Sequence, residues 1–151
     1  MSSTEPARAA SLVIGNNIAE LPKVAELVDR FGMAHRLPQA ITNDLNLCLD
    51  EILNNAISYG YEDRQLHRIV INLLIKDNFV IADIEDDGIP FDPWNDAPAP
   101  PRGTLQSRKL GGLGVQFVKT LMDEVSYVRV REKNVVRIGK RLADGGVDGD
   151  R

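Results

Sequence analysis

Apolar side chains recur every three to four residues over the longer stretches of the chain and every second residue over several short ones, and that contrast predicts the architecture. Leu21, Val24, Ala25, Val28 and Phe31 keep helical spacing, with Pro22 tolerable only in a first turn and an end near Gly32 to His35. Pro38 is placed to open a second helix at its first position, and Leu45, Leu49, Ile52, Leu53 and Ala56 then form one apolar stripe. Gly60 is expected to stop that helix as a left-handed residue. Ser11 to Gly15 reads as a short strand. Arg68 to Lys76 and Phe79 to Glu85 read as two more, joined by a tight Lys76-Asp77-Asn78 turn. Gly111-Gly-Leu-Gly114 opens a third helix with Val115, Val118, Leu121 and Met122 on its apolar side. Val125 to Arg131 and Val135 to Lys140 make a terminal hairpin about Glu132-Lys133-Asn134.

Between Asp86 and Lys109 the periodicity collapses, and prolines 90, 93, 98, 100 and 101 sit there with Gly88 and Gly103. A loop of that length in a small domain is functional or disordered. The order β-α-α-β-β-loop-α-β-β predicts an α+β two-layer sandwich, a mixed and mostly antiparallel sheet with helices on one face. One domain is expected over 11–142 with a lid at about 88–110, a flexible arm at 1–10 and a disordered tail at 143–151.

Composition narrows the function. Aromatics are only 5% of the 151 residues, so the core must rest on Leu, Ile, Val and Ala. A net charge of −4 and a pI near 5.2 argue against a nucleic-acid binder, which needs a basic stripe. The cations of the last hairpin, Arg129 to Arg141, read as solvated strand faces. Cys48 lies in a helical pattern and is expected to be a packed thiol. With no basic-then-apolar leader and no apolar run of membrane length, a cytoplasmic protein without a membrane partner is expected.

Three clusters carry candidate chemistry. Asp44, Glu51 and Asn55 form a polar stripe bordering the apolar face of the second helix, where a side chain can look into a cleft. Alone, an E-x-x-x-N spacing is better explained as a solvated stripe. Ile84-Glu-Asp-Asp-Gly88 ends a strand; Asp83, Glu85, Asp87 and Gly88 mimic the start of a calcium loop, but Trp94 stands where the bidentate Glu is required, so calcium is rejected. What remains is Asp86, a strong acceptor for an exocyclic amine such as that of adenine, or else a turn-capping Asp. Gly112 and Gly114, with Leu113 between them and Arg108 and Lys109 before them, mark either a helix start suited to phosphate or simply a glycine-rich turn into a helix. It is neither a Walker A loop nor a dinucleotide fingerprint.

In this order, LCLDEILNNAISYGY (Leu47 to Tyr61), IEDDGIPFDP (Ile84 to Pro93) and GGLGVQFVKTLMDEVSYVRV (Gly111 to Val130) resemble the GHKL ATPase superfamily. The likeness is closest to its anti-sigma-factor serine/threonine kinase branch and spans roughly residues 12–142. It implies ATP and Mg2+ as cofactors. Glu51 corresponds to the general base, Asn55 to the magnesium ligand, Asp86 to the adenine-reading carboxylate and Gly88 to the glycine at its turn. Gly112 and Gly114 correspond to the phosphate-contacting glycines, and Arg102, Arg108 and Lys109 are candidates for a lid cation. The implied activity is Mg-ATP-dependent phosphorylation of a serine on an anti-anti-sigma (STAS) partner, with a sigma factor as a sequestered client and room for a homodimer. Pro90 stands where many superfamily members carry a second glycine, which stiffens the start of the lid. The branch also leaves open a non-catalytic ATP-gated binding switch, or a domain that only hydrolyses ATP or no longer binds it. His35 and His67 lie outside the motifs and read as surface or turn residues.

Overall fold

The structure, a computed structural model, describes residues 8–96 and 114–142. The first seven residues, the tail from residue 143, and the stretch from 97 to 113 with Arg102, Arg108, Lys109, Gly112 and Leu113 lie outside the described residues. The elements in chain order are β1 (Ala9–Gly15), α1 (Leu21–Ala34), α2 (Gln39–Tyr59), β2 (Arg68–Lys76) and β3 (Phe79–Asp86). Residues 114–121 are helical (α3), and β4 (Glu124–Val130) and β5 (Lys133–Arg141) close the chain.

The strands form one sheet in the order β1-β2-β3-β5-β4, antiparallel at every pairing. Alternation decides which face is covered. Ile69, Ile71, Leu73 and Ile75 of β2 and Val80, Ala82 and Ile84 of β3 are buried, with less buried neighbours between them. They join Val24, Val28 and Phe31 of α1 and Leu45, Cys48, Leu49, Ile52 and Leu53 of α2 in one core cluster. The helices therefore cover one face, as the pattern requires. Among the described residues Phe31 is the only aromatic ring in the buried core, and each fully buried Leu or Ile contributes about 1.5–3 kcal/mol. Burial pushes the Cys48 thiol up to about 12, which keeps it an inert packed group.

Local differences from the sequence reading have physical causes. β1 starts at Ala9 because backbone pairing with Leu74 and Leu73 continues past the apolar run. Pro38 takes the position before the first turn of α2, where its extended ψ of 144° turns the chain into the helix. Gly60 ends α2 in a right-handed conformation (φ −87°), its N–H still bonded to Ala56 O at 2.9 Å. A Cβ there would overlap the Ala56 carbonyl, so close packing, not a left-handed φ, accounts for the glycine.

The last hairpin turns at Arg131-Glu132, with φ of 50° and 66°, so Lys133 and Asn134 belong to β5. Two consecutive left-handed residues are the geometry of a tight primed hairpin turn, for which neither Arg nor Glu is suited. Glu132→Gly is accordingly expected to stabilise the protein by about 0.5–1 kcal/mol. A rise in the urea midpoint at unchanged slope would register it; a fall would show that the turn carries no strain.

Candidate functional site

The C-terminal half of α2 runs past the C-terminal end of β3, and the two elements meet at glycines. Gly60 O accepts the Ile89 N–H at 2.8 Å, and a Cβ on Gly88 would run into that same carbonyl. This close approach frames a cavity. Ile52, Asn55, Ala56 and Gly60 form one wall, Ile84, Asp86, Asn134 and Val136 the sheet side, and Ile89, Phe91 and Pro93 the cover. Its lining is mostly apolar, with a few convergent polar groups, the usual composition of a small-molecule site.

Asp86 is the ionisable residue of that lining. It is 6% exposed, and its Oδ1 accepts the Gly88 N–H at 2.8 Å and Asn134 Nδ2 at 2.9 Å. Burial holds its carboxyl above the usual range, against the pull of those two hydrogen bonds; the Asp87 charge adds to the rise and Arg129 opposes it. Oδ2 accepts from no protein group among the described residues.

Asn55 joins this cavity to the second cluster. Its Nδ2 donates to Glu51 Oε2 at 3.1 Å, one turn back along α2. An ionised carboxylate only accepts, so this bond turns the amide nitrogen toward Glu51 and leaves Asn55 Oδ1 for another partner. Burial is the main cause that lifts Glu51 above the ordinary carboxylate range; the Asn55 hydrogen bond opposes it and Asp50 adds to it. The start of α3 closes in from the other side, because a Cβ on Gly114 would overlap the Glu51 carboxylate. Glu51, Asn55, Asp86, Gly88 and Gly114 are thus brought together. Asp44 stands more than two turns before Asn55 on α2 and contributes nothing to the cavity.

The residues present suit a nucleotide with a magnesium ion. A neutral carboxamide oxygen is an ordinary magnesium ligand where phosphates already supply charge, and Asn55 Oδ1 is left for such a partner beside the mostly apolar cavity. Among the described residues no group of three or more His, Cys, Asp or Glu is placed to hold a metal by itself. No helix among them is long and apolar enough to cross a membrane.

Two participants escaped the sequence reading. Asn134 reads as a turn residue, yet β5 pairs it directly with Asp86, where it is 4% exposed. His67 is a bridge: Nδ1 lies 3.0 Å from Asp87 Oδ1, Nε2 lies 2.8 Å from Asp63 Oδ1, and the ring stacks on Tyr61 with centroids 4.5 Å apart. The Asp63 hydrogen bond is the first cause that raises the His67 pKa. A raised histidine contributes stability below its unfolded pKa and loses it as pH climbs through the folded value. The melting-temperature gap between wild type and His67→Gln should therefore narrow as pH rises from about 6 to about 8. A gap constant over that range would show that the bridge does not depend on the imidazolium.

Residues 14–140 match the family model described as the histidine kinase-like ATPase domain. The serine-protein kinase RsbW of Oceanobacillus iheyensis is 26% identical over 125 residues, covering 79% of this chain and 78% of that protein. The anti-sigma F factor of Bacillus subtilis is 26% identical over 101 residues (66% and 69%), and the serine/threonine-protein kinase BtrW of Bordetella bronchiseptica is 31% identical over 85 residues (56% and 60%). The chain belongs to the histidine kinase-like ATPase domain family, on the GHKL branch that carries anti-sigma factors and serine-protein kinases.

Proposed function

We propose that this protein is a Mg-ATP-dependent serine protein kinase that phosphorylates an anti-anti-sigma (STAS) partner in the cytoplasm and binds a sigma factor as its regulated client. The observation that carries this reading is the continuity of the site. A pocket with a carboxylate among its sheet-side residues shares Asn55 with a second, half-buried carboxylate against which Gly114 packs.

In this reading the adenine ring lies between Ile52, Ile84, Phe91 and Val136, with its exocyclic amine on Asp86 Oδ2. The triphosphate extends toward Gly114, with Gly112 and Leu113 as further phosphate contacts and Arg102, Arg108 or Lys109 as the cation. Asn55 Oδ1 would hold magnesium, which when bound offsets phosphate charge. Glu51 orients the incoming serine and takes its proton as the serine oxygen bonds to the γ-phosphorus, while the bond from that phosphorus to the β–γ bridging oxygen breaks and ADP leaves. Phosphoryl transfer asks little more of a protein than such positioning. A carboxyl raised by burial is better matched to that proton than an ordinary surface glutamate.

Incubation with Mg-ATP and the STAS-domain proteins of the same genome, each in turn, followed by mass spectrometry, tests the reading. One phosphate on a partner serine is expected. Tight ATP binding with an unmodified partner would instead favour a non-catalytic ATP-gated switch.

A further inference from the structure

We infer that Asn134 is a specificity-determining residue: it holds the Asp86 carboxyl as an acceptor, so that the pocket selects a base with an exocyclic amine over one with a carbonyl in that place. This rests on the reading of the cavity as a nucleobase site.

The side-chain amide of Asn134 uses its full hydrogen-bonding capacity. Nδ2 donates to Asp86 Oδ1 at 2.9 Å and to Ile89 O at 2.8 Å. Oδ1 accepts Tyr127 Oη–H at 2.6 Å and the Phe91 N–H at 3.3 Å. Two of these partners are backbone groups whose roles cannot change: a carbonyl only accepts and an amide N–H only donates. A flipped amide would set its oxygen against the Ile89 carbonyl and its nitrogen against the Phe91 N–H. The group turned toward Asp86 is therefore always a donor. The Gly88 N–H reaches the same Oδ1, so the carboxyl receives two donors on one oxygen and keeps the other for the ligand.

Two donors favour the ionised form, against the burial that disfavours it. An ionised Asp86 accepts from an amine and repels a carbonyl oxygen; a protonated one would donate to that carbonyl. The other ionisable groups around it are Asp87 on the same turn, Tyr61 after α2, Arg129 on β4, whose Nη1 donates to Gly88 O at 2.8 Å, and the Glu85–Lys133 pair. His67 and Arg68 lie beyond Asp87 on the open face of the sheet. Among the described residues only Gly88 and Asn134 donate to Asp86 itself, and Asn134 alone does so through a side chain.

The test compares binding of ATP and inosine triphosphate by calorimetry to wild type, Asn134→Leu and Tyr127→Phe, at about pH 6 and about pH 8. Wild type is expected to prefer ATP at both. Asn134→Leu should lose roughly tenfold or more of that preference, most at the lower pH, because Asp86 then protonates more readily. Tyr127→Phe removes one donor to Asn134 Oδ1 but leaves the Ile89 and Phe91 backbone groups that orient the amide, so it should keep the wild-type preference. Asn134→Ala, which removes the same donor to Asp86 as Asn134→Leu without added bulk, decides the matter if Asn134→Leu fails to fold. Equal weakening of both nucleotides, with the ratio unchanged in folded Asn134→Leu or Asn134→Ala, would overturn the inference while leaving the site intact. A wild type that takes neither nucleotide, or both alike, would overturn the site reading and this inference with it.

Discussion

Glu51→Gln is expected to slow phosphate transfer to the partner serine about 10²–10⁴-fold, the usual contribution of a positioned general base, while ATP affinity stays within about threefold. The amide keeps the size of the carboxylate and its contact with Asn55 Nδ2, since Gln Oε1 still accepts. What it loses is the capacity to take the proton. The pH profile carries the same information. A base must be ionised to act, so the wild-type rate should rise as pH climbs through the elevated Glu51 pKa and then level, and that limb should be absent in Glu51→Gln. Single-turnover transfer of labelled phosphate measures both. Label reaching the partner at the wild-type rate with the variant would remove Glu51 from the chemistry.

The second large effect is expected at Asp86, where affinity and stability should move in opposite directions. In Asp86→Asn the carboxamide oxygen can keep the Gly88 and Asn134 hydrogen bonds, which turns its NH2 toward the cavity. A donor would then face the adenine amine, and ATP binding should weaken roughly 10- to 100-fold. The stability sign follows from the raised carboxyl. Its folded pKa exceeds its unfolded one, so its favourable contribution is complete below the unfolded value and is lost as pH rises through the folded value. The ligand-free wild type should lose stability across that window and the variant should not. At neutral pH the variant should therefore melt at or above the wild-type temperature while binding ATP poorly. Calorimetric titration beside a melting series checks both halves. A variant that loses affinity and stability together would mark Asp86 as a structural cap.

The same residue shows why much of the fold was legible in the sequence and the finer parts of the site were not. Ile69, Ile71, Leu73 and Ile75 alternate strictly, and Leu45, Leu49, Ile52 and Leu53 keep the helical period, so the covered sheet face and the helix lying on it follow from local pattern alone. Glu51 and Asn55 stand at the border of that stripe, and four-residue spacing already puts them side by side. Asn134 had no such signal. Its role comes from a pairing register with Asp86 across 48 residues, set by a hairpin turn at Arg131-Glu132 whose residue types do not favour left-handed backbone. From residue types alone the turn therefore reads as Glu132-Lys133-Asn134. His67 is similar: Asp63 is one helical turn away in sequence, but Asp87 is brought to it only by the end of β3. Gly60 shows the converse, a correct helix end with the wrong cause. A glycine's need for space is invisible until the Ala56 carbonyl is in place.

The proposed activity depends on one arrangement, a base held at Asp86 and a terminal phosphate delivered to Glu51. Diffraction from crystals grown with magnesium and a non-hydrolysable ATP analogue addresses it most directly. The expected density places the adenine amine within hydrogen-bond distance of Asp86 Oδ2, a magnesium ion on Asn55 Oδ1, and the γ-phosphate beside Glu51, with Gly114 displaced from its contact with that carboxylate. An analogue seated on the open face of the sheet, or one with its phosphates turned away from Glu51, would contradict it.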